Sequence, residues 1–188
     1  GHDSFREGQD RITDSLLGGH DVLGIMPTGA GKSICYQVPA LMFDGITIVV
    51  SPLISLMKDQ VSALVQSGVA AAYINSSLTH AQYLKVLQNT ESGKYKIIYV
   101  APERLCAPAF LGICRNLNIS MVAVDEAHCV SQWGQDFRPS YLKIPDFIDA
   151  LNSRPVVGAF TATATGDVRD DIKTLLRLVS PLVVTTGF

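Results

Sequence analysis

Seven short runs rich in β-branched residues recur along the chain, at positions 22–26, 46–50, 71–74, 97–100, 121–124, 156–160 and 182–184. Patterns of helical period lie between most of them, and this alternation is the strongest constraint on the fold. Parallel neighbours in a sheet need a long crossover, which is usually a helix, so strand–helix alternation specifies a mostly parallel sheet flanked by helices. Several of the runs are apolar without alternation, as strands covered on both faces must be. The stretch 55–66 is predicted helical, with Leu56, Val61, Leu64 and Val65 as its apolar stripe. Helices are also predicted over 81–88, 109–117, 142–151 and 167–178. No repeat, low-complexity tract or linker interrupts the pattern. The expectation is one α/β domain over residues 1–188, built in three layers.

Composition supports that reading and excludes others. At 188 residues, 47% hydrophobic, with a formal charge of −2, the chain can bury a real core and is not a disordered segment. Charged residues are only 17%, below the ~25% usual for soluble domains. Either the core is large for the surface, or something normally covers part of that surface. The near-neutral balance gives no basic footprint of the kind that marks nucleic-acid binding. The four cysteines, Cys35, Cys106, Cys114 and Cys129, form no C-x-x-C pair, so zinc has no local support. They read as buried reduced thiols, which suits a reducing compartment, cytoplasmic in preference to nuclear. Asp3, Arg6, Glu7 and Asp10 crowd the place where a signal core would lie, and polar residues break up the uncharged run 60–79. Neither a targeting segment nor a membrane span is expected. A chain that starts without Met and stops just after an apolar strand reads as a fragment.

In open parallel sheets ligands bind beyond the carboxyl ends of the strands. Five strand ends here carry polar or glycine-rich clusters: 27–33, 51–53, 101–104, 125–128 and 161–165. The first is Pro27-Thr28-Gly29-Ala30-Gly31-Lys32-Ser33, followed by a helical pattern through Ile34, Tyr36 and Val38. Glycines let backbone N–H groups turn toward phosphate oxygens, and the positive end of the following helix points to the same place. Lys32 can reach β- and γ-phosphates and the Ser33 hydroxyl can ligate Mg²⁺. The strict G-x-x-x-x-G-K-[ST] pattern is not met, since Met26 stands where its first glycine falls. An ordinary tight turn before a helix is the competing reading.

The run 121–124 ends in Asp125-Glu126-Ala127-His128. A strand-end carboxylate beside a phosphate loop can hold Mg²⁺, usually through water, which suits Asp125. Glu126 can then polarise a water in line with the γ-phosphate, and His128 is a candidate relay. An acidic pair at a strand end is often only a helix cap with a first-turn charge. The phosphate loop 93 residues upstream, counted from Lys32 to Asp125, favours the chemical reading.

With these residues in place, the chain resembles the first RecA-like motor domain of superfamily 2 helicases, and within them the RecQ DNA helicases. The matching blocks are Phe5-Arg6-Glu7-Gly8-Gln9, the segments 26–41 and 51–60, Ala101-Pro102-Glu103-Arg104-Leu105, Asp125-Glu126-Ala127-His128-Cys129, the segment 131–139, and Thr161-Ala162-Thr163-Ala164. They occur in the family's order over nearly the whole chain.

The resemblance implies a three-layer RecA-like P-loop domain that uses ATP and Mg²⁺, with phosphate and metal contacts from Thr28, Gly29, Ala30, Gly31, Lys32, Ser33 and Asp125. It implies that Gln9 pairs with adenine while Arg6 stacks on the ring; a Gln amide matches the adenine N6/N7 edge. His2 stands where the family usually has an aromatic residue. Without the family, Gln9 would pass for an exposed helix residue. The segment from Ser131 resembles an aromatic-rich loop that couples single-stranded DNA to the ATP site. Trp133 and Phe137 could stack on bases, with Gln132 beside them and Arg138 reaching a phosphate. A buried helical stripe is the alternative for two aromatics four apart, although their polar neighbours argue against it. Gln135 stands where some relatives carry His. Thr161 and Thr163 match a motif linking hydrolysis to domain movement. Ser51, Arg104 and Lys58 fall in segments that track the DNA backbone, though for Lys58 plain solvation is nearly as good an account.

The implied function is the ATP-binding half of a 3′–5′ DNA helicase acting on single-stranded and partly duplex DNA, in repair and recombination. A second RecA-like domain would supply an arginine finger, so the fragment alone is expected to be nearly inactive. Zinc and winged-helix modules are not in this sequence. Two rivals remain: a P-loop enzyme of another class, and a non-catalytic nucleotide-binding clamp.

Overall fold

The computed structural model describes residues 4–187. Its seven strands form a single sheet in which every described pairing is parallel. In chain order they are β1 (Val22–Ile25), β2 (Ile46–Val50), β3 (Ala71–Ile74), β4 (Ile97–Val100), β5 (Ile119–Val124), β6 (Val156–Thr161) and β7 (Leu182–Thr185). All seven predicted runs are strands, shifted by at most two residues at an end. The order across the sheet is β3-β4-β2-β5-β6-β1-β7. One strand, β6, therefore lies between β1 and β5.

Seven helices cover the sheet: α1 (Gln9–Leu17), α2 (Lys32–Met42), α3 (Ile54–Gln66), α4 (His80–Glu91), α5 (Pro108–Arg115), α6 (Ile144–Asp149) and α7 (Gly166–Leu175). Strands buried on both faces divide their side chains between two cores. Val22, Val49, Met121, Ala123 and Phe160 face α1, α2 and α3, meeting Ile12, Leu16, Tyr36, Met57 and Val61. Leu23, Ile25, Ile48, Val50, Val122 and Val124 face the other way, onto Leu87, Phe110, Phe147 and Ile172 of α4 to α7. This is the expected three-layer α/β architecture.

Two local expectations need correction. Met57, Val61 and Leu64 form the buried stripe of α3, at the i, i+4, i+7 spacing of one helical face. Val65 is 54% exposed, and Leu56 turns toward a cleft instead. The predicted helix 142–151 is shorter: a 3₁₀ turn over Pro139–Lys143 precedes α6. Pro139 and Pro145 lack an N–H, and each sits in the first turn of its own short element. The helix α1, which precedes the first strand, begins at Gln9. Cys35, Cys114 and Cys129 are buried free thiols, and Cys106 is half-buried. No described helix is long and apolar enough to cross a membrane.

Candidate active site

The phosphate-loop residues run from the end of β1 into α2. Gly29 (φ 82°) and Gly31 (φ 84°) are left-handed, a conformation that favours glycine. Gly31 is the N-cap of α2 and no side chain caps the helix, so its first N–H groups stay available for an anion. A Cβ on Gly31 would collide with Nε2 of Gln9. Gln9 is only 4% exposed. Its Nε2 donates to the carbonyls of Ala30 (3.2 Å) and Gly31 (3.1 Å), and its Oε1 accepts from the Arg6 N–H at 2.7 Å. The Arg6 guanidinium donates to the Gly29 carbonyl at 2.6 Å. The plain reading of Gln9 as an exposed helix residue is thus wrong: it is a buried strap on the phosphate loop. Both of its amide hydrogens are taken by that loop, so pairing with a base would require it to release one. His2 lies outside the described residues.

Thr28, Gly29, Gly31, Lys32, Ser33, Tyr36, Leu56, Gln60, Asp125 and Glu126 line a cleft of about 280 Å³. The phosphate loop and the acidic pair therefore face one space, although β6 separates their strands. Lys32 Nζ lies 3.7 Å from Glu126 Oε1, and His128 Nδ1 lies 3.4 Å from Glu126 Oε2. His128 Nδ1 is also 2.9 Å from the hydroxyl of Thr161, which donates to the Thr163 carbonyl at 3.1 Å. With that hydroxyl proton on the Thr163 carbonyl, the tautomer carrying its hydrogen on Nδ1 satisfies both bonds. Thr161 is the buried last residue of β6, the strand between the two halves of the site.

Asp125 is 5% exposed. Burial, reinforced by the neighbouring Glu126 charge, raises its pKa to about 6, against the opposing pull of Lys32 and of the Glu126 N–H. That N–H donates to Asp125 Oδ1 at 3.0 Å. Among the described residues no cationic side chain lies within ion-pair distance of Asp125. Its main chain is fixed by two bonds, from its N–H to Val50 (2.9 Å) and from the Tyr141 hydroxyl to its carbonyl (2.8 Å). Glu126 is held at φ 48°, a left-handed conformation that costs a non-glycine residue about 1 kcal/mol or more.

A buried carboxylate without a cation among the described residues, lining the same cleft as Ser33, is a donor set of the hard-oxygen kind that Mg²⁺ prefers. No group of three or more His, Cys, Asp or Glu side chains among the described residues could hold a metal by itself. Such a sparse protein set suits Mg²⁺, which is commonly held by one or two carboxylates together with substrate phosphates. The residues present fit the ion.

A second cleft of about 280 Å³ is lined by His128, Trp133, Gly134, Gln135, Thr163, Ala164, Thr165 and Val168. Trp133 is 78% exposed, Gln132 is exposed, and Phe137 is half-buried on a run of turns and bends, so the two aromatics do not form a helical stripe. Arg138 pairs with Asp136 (2.9 and 3.0 Å) and reaches the Pro52 carbonyl at 3.4 Å. Of the residues in the other quoted segments, Arg104, Lys58 and Thr163 are exposed. Ser51 is buried and its hydroxyl has no partner among the described residues, so its side chain does not present a surface contact.

Sequence reasoning missed the polar contacts that hold Gln60, one of the residues lining the phosphate cleft. Gln37 on α2 donates to Gln60 Oε1 on α3 (2.7 Å) and to the Tyr99 hydroxyl of β4 (2.9 Å). Gln60 belongs to the segment 51–60, but no spacing rule singles out a residue that acts across to another helix.

A glycine-turned loop at an uncapped helix, an acidic strand end facing it, and a Thr–His link between them together define a P-loop nucleotide-binding domain of the RecA-like class. Two solved structures share this fold: a hypothetical ATP-dependent RNA helicase from Sulfolobus tokodaii (TM-score 0.76, 21% identity, 99% of this chain and 54% of that one), and the DUF1998 helicase MrfA bound to DNA (TM-score 0.79, 18% identity, 99% and 28%). Residues 6–172 match the DEAD/DEAH box helicase family, and the chain belongs to it. It is similar to the ATP-dependent DNA helicase RecQ of Bacillus subtilis, 50% identical over 192 residues covering 100% of this chain and 32% of that protein. The RecQ of Pasteurella multocida is 47% identical over 188 residues, covering 100% and 30%. The chain thus spans about a third of the length of these relatives.

Proposed function

We propose that this domain is the nucleotide-binding half of an ATP-dependent DNA helicase motor that moves 3′ to 5′ along single-stranded DNA and opens partly duplex DNA. The observation that carries the reading is the continuous chain Lys32–Glu126–His128–Thr161, which runs from the phosphate loop to the cleft under Trp133.

The free N–H groups at the start of α2 and the Lys32 ammonium bind the ATP phosphates. Asp125 and the Ser33 hydroxyl would hold Mg²⁺, which neutralises charge on the phosphate oxygens when bound. As Lys32 turns to phosphate it gives up its pairing with Glu126, freeing Oε1 to accept a proton from the attacking water. With its Nδ1 hydrogen on Thr161, His128 meets Oε2 by contact alone, and it passes a displacement of Glu126 to Thr161 and so to the 161–164 segment. Trp133 and Phe137 stack on bases of single-stranded DNA, with Gln132 and Arg138 on the backbone. Arg6 and Gln9 select adenine, and Gln9 makes that selection felt in the loop it straps.

An arginine from a second RecA-like domain completes the reaction; such residues contribute ~10³–10⁵ in rate in related systems. The domain alone accordingly binds ATP weakly and turns it over slowly. The four free thiols suit a reducing compartment such as the cytoplasm.

In the full-length protein, Glu126→Gln should abolish DNA-stimulated ATP hydrolysis and leave nucleotide binding within a few-fold. Turnover preserved in that variant would overturn the assignment of Glu126, and normal turnover without any DNA stimulation would favour another class of P-loop enzyme.

A further inference from the structure

Resting on the coupling role given above to the Trp133 loop, we propose that Asp171 on α7 is a positioning residue for that loop, tying it to the 161–164 segment through Ser131.

The indole of Trp133 projects into solvent, so its own packing does not hold it. The backbone around it is held instead. Ser131 is fully buried, and its hydroxyl donates to Asp171 Oδ2 at 2.6 Å. This is the short length expected of a hydroxyl on an ionised acceptor. With its only proton committed, the same oxygen must act as an acceptor on its other side, and it takes the Trp133 N–H at 3.1 Å. The carboxylate therefore orients the hydroxyl, and the hydroxyl orients the main chain that carries the indole. The bond spans 40 residues of sequence, from the strand-end segment after β5 to the middle of α7.

The helix bearing Asp171 is also fastened to the segment before it. Arg169 Nε donates to the Ala164 carbonyl at 3.1 Å, and the Arg169 N–H to the Thr165 carbonyl at 3.0 Å. A change at Thr161 thus reaches Trp133 by two routes: through His128 and the chain that follows it, and through Ala164, α7, Asp171 and Ser131. The second route makes the loop respond to the position of a whole helix. Asp171 lines neither the phosphate cleft nor the cleft at Trp133.

The test uses the full-length protein. Asp171→Ala should speed amide hydrogen exchange in the 131–138 segment and lower DNA-stimulated kcat by roughly 10- to 100-fold, the scale of a small misplacement. Basal turnover and KM for ATP should stay within about two-fold. Asp171→Asn keeps an acceptor oxygen and should recover most of the stimulation. Ser131→Ala should mimic Asp171→Ala, and the double variant should lose no more than either single one, as members of one link do. Stimulation intact in Asp171→Ala, basal and stimulated rates falling together, or additive losses in the double variant would each overturn the proposal. Trp133→Ala separates the two claims: stimulation that survives it refutes the coupling role of the loop itself, whereas stimulation lost there but intact in Asp171→Ala refutes only the role of Asp171.

Discussion

Two buried aspartates stand at opposite ends of the sheet. Asp21, just before β1, is 2% exposed, and Asp125, just after β5, is 5% exposed. Asp21 is saturated. Arg154 binds it through both terminal nitrogens at 3.1 and 2.6 Å, and the N–H groups of Val157 and Val179 donate at 2.9 and 2.7 Å. These bonds join the starts of β1 and β6 to the segment before β7. Asp125 receives one N–H on its side chain and no ion pair among the described residues. Similar burial therefore describes a finished structural joint at one end and a carboxylate with bonding capacity to spare at the other. What separates them is how much of each carboxylate's bonding capacity the protein itself fills.

That contrast can be broken most severely at Asp125. In the full-length protein, Asp125→Asn should lower ATP turnover by at least about 10³, or ~4 kcal/mol, as loss of a charge-stabilising group does. The same variant should melt no lower than wild type in the absence of nucleotide, because an unpaired buried charge has been removed. A large drop in melting temperature would make Asp125 a structural residue like Asp21. The opposite pattern is expected of Asp21→Ala, which leaves Arg154 and two N–H groups without their acceptor. Unfolding free energy should fall by about 3–5 kcal/mol, the range for breaking one side of a buried pair, with ATP affinity of the folded fraction unchanged. Denaturant titration combined with nucleotide binding distinguishes the two effects.

The smallest effect is on pH dependence. The pKa of Asp125 is raised to about 6 in the folded state, against roughly 4 when unfolded. The folded protein therefore holds this proton more tightly than the unfolded chain does. The contribution is fully present below pH ~4 and is lost as pH rises toward 6, amounting to about 2–3 kcal/mol. Other groups add their own slopes, so the measure is a difference: the stability of wild type relative to Asp125→Asn should fall across that window. A flat difference would mean that Asp125 is not starved of a partner.

Much of the architecture was legible because it rests on local pattern. Apolar runs without alternation marked the strands, and their carboxyl ends marked where to look for Lys32, Ser33, Asp125 and Glu126. What remained hidden depends on contacts between distant segments. Gln9 reads as a polar residue on a helix until the phosphate-loop carbonyls are seen against its amide. Asp21 lies 133 residues from Arg154, and no spacing rule links them. In the stripe of α3 the expectation held for Val61 and Leu64 but took Leu56 for Met57 and added Val65, because Leu56 and Val65 are as apolar as the residues actually buried. Period locates a helix more securely than it locates the face that is covered. The resemblance to a family supplied an adenine role for Gln9, but not its place beneath the loop.

The strand between the two halves of the site acts as a ruler. Neighbouring strands stand about 4.8 Å apart, so β1 and β5 are separated by roughly 9.6 Å, a span set by backbone hydrogen bonds and almost incompressible. Side-chain length must cover the remainder. Lysine and glutamate, reaching from opposite banks, arrive within 3.7 Å of one another. An aspartate at position 126 would carry the same charge and fall one methylene short. The choice of residue there is a matter of lattice dimensions as much as of acidity.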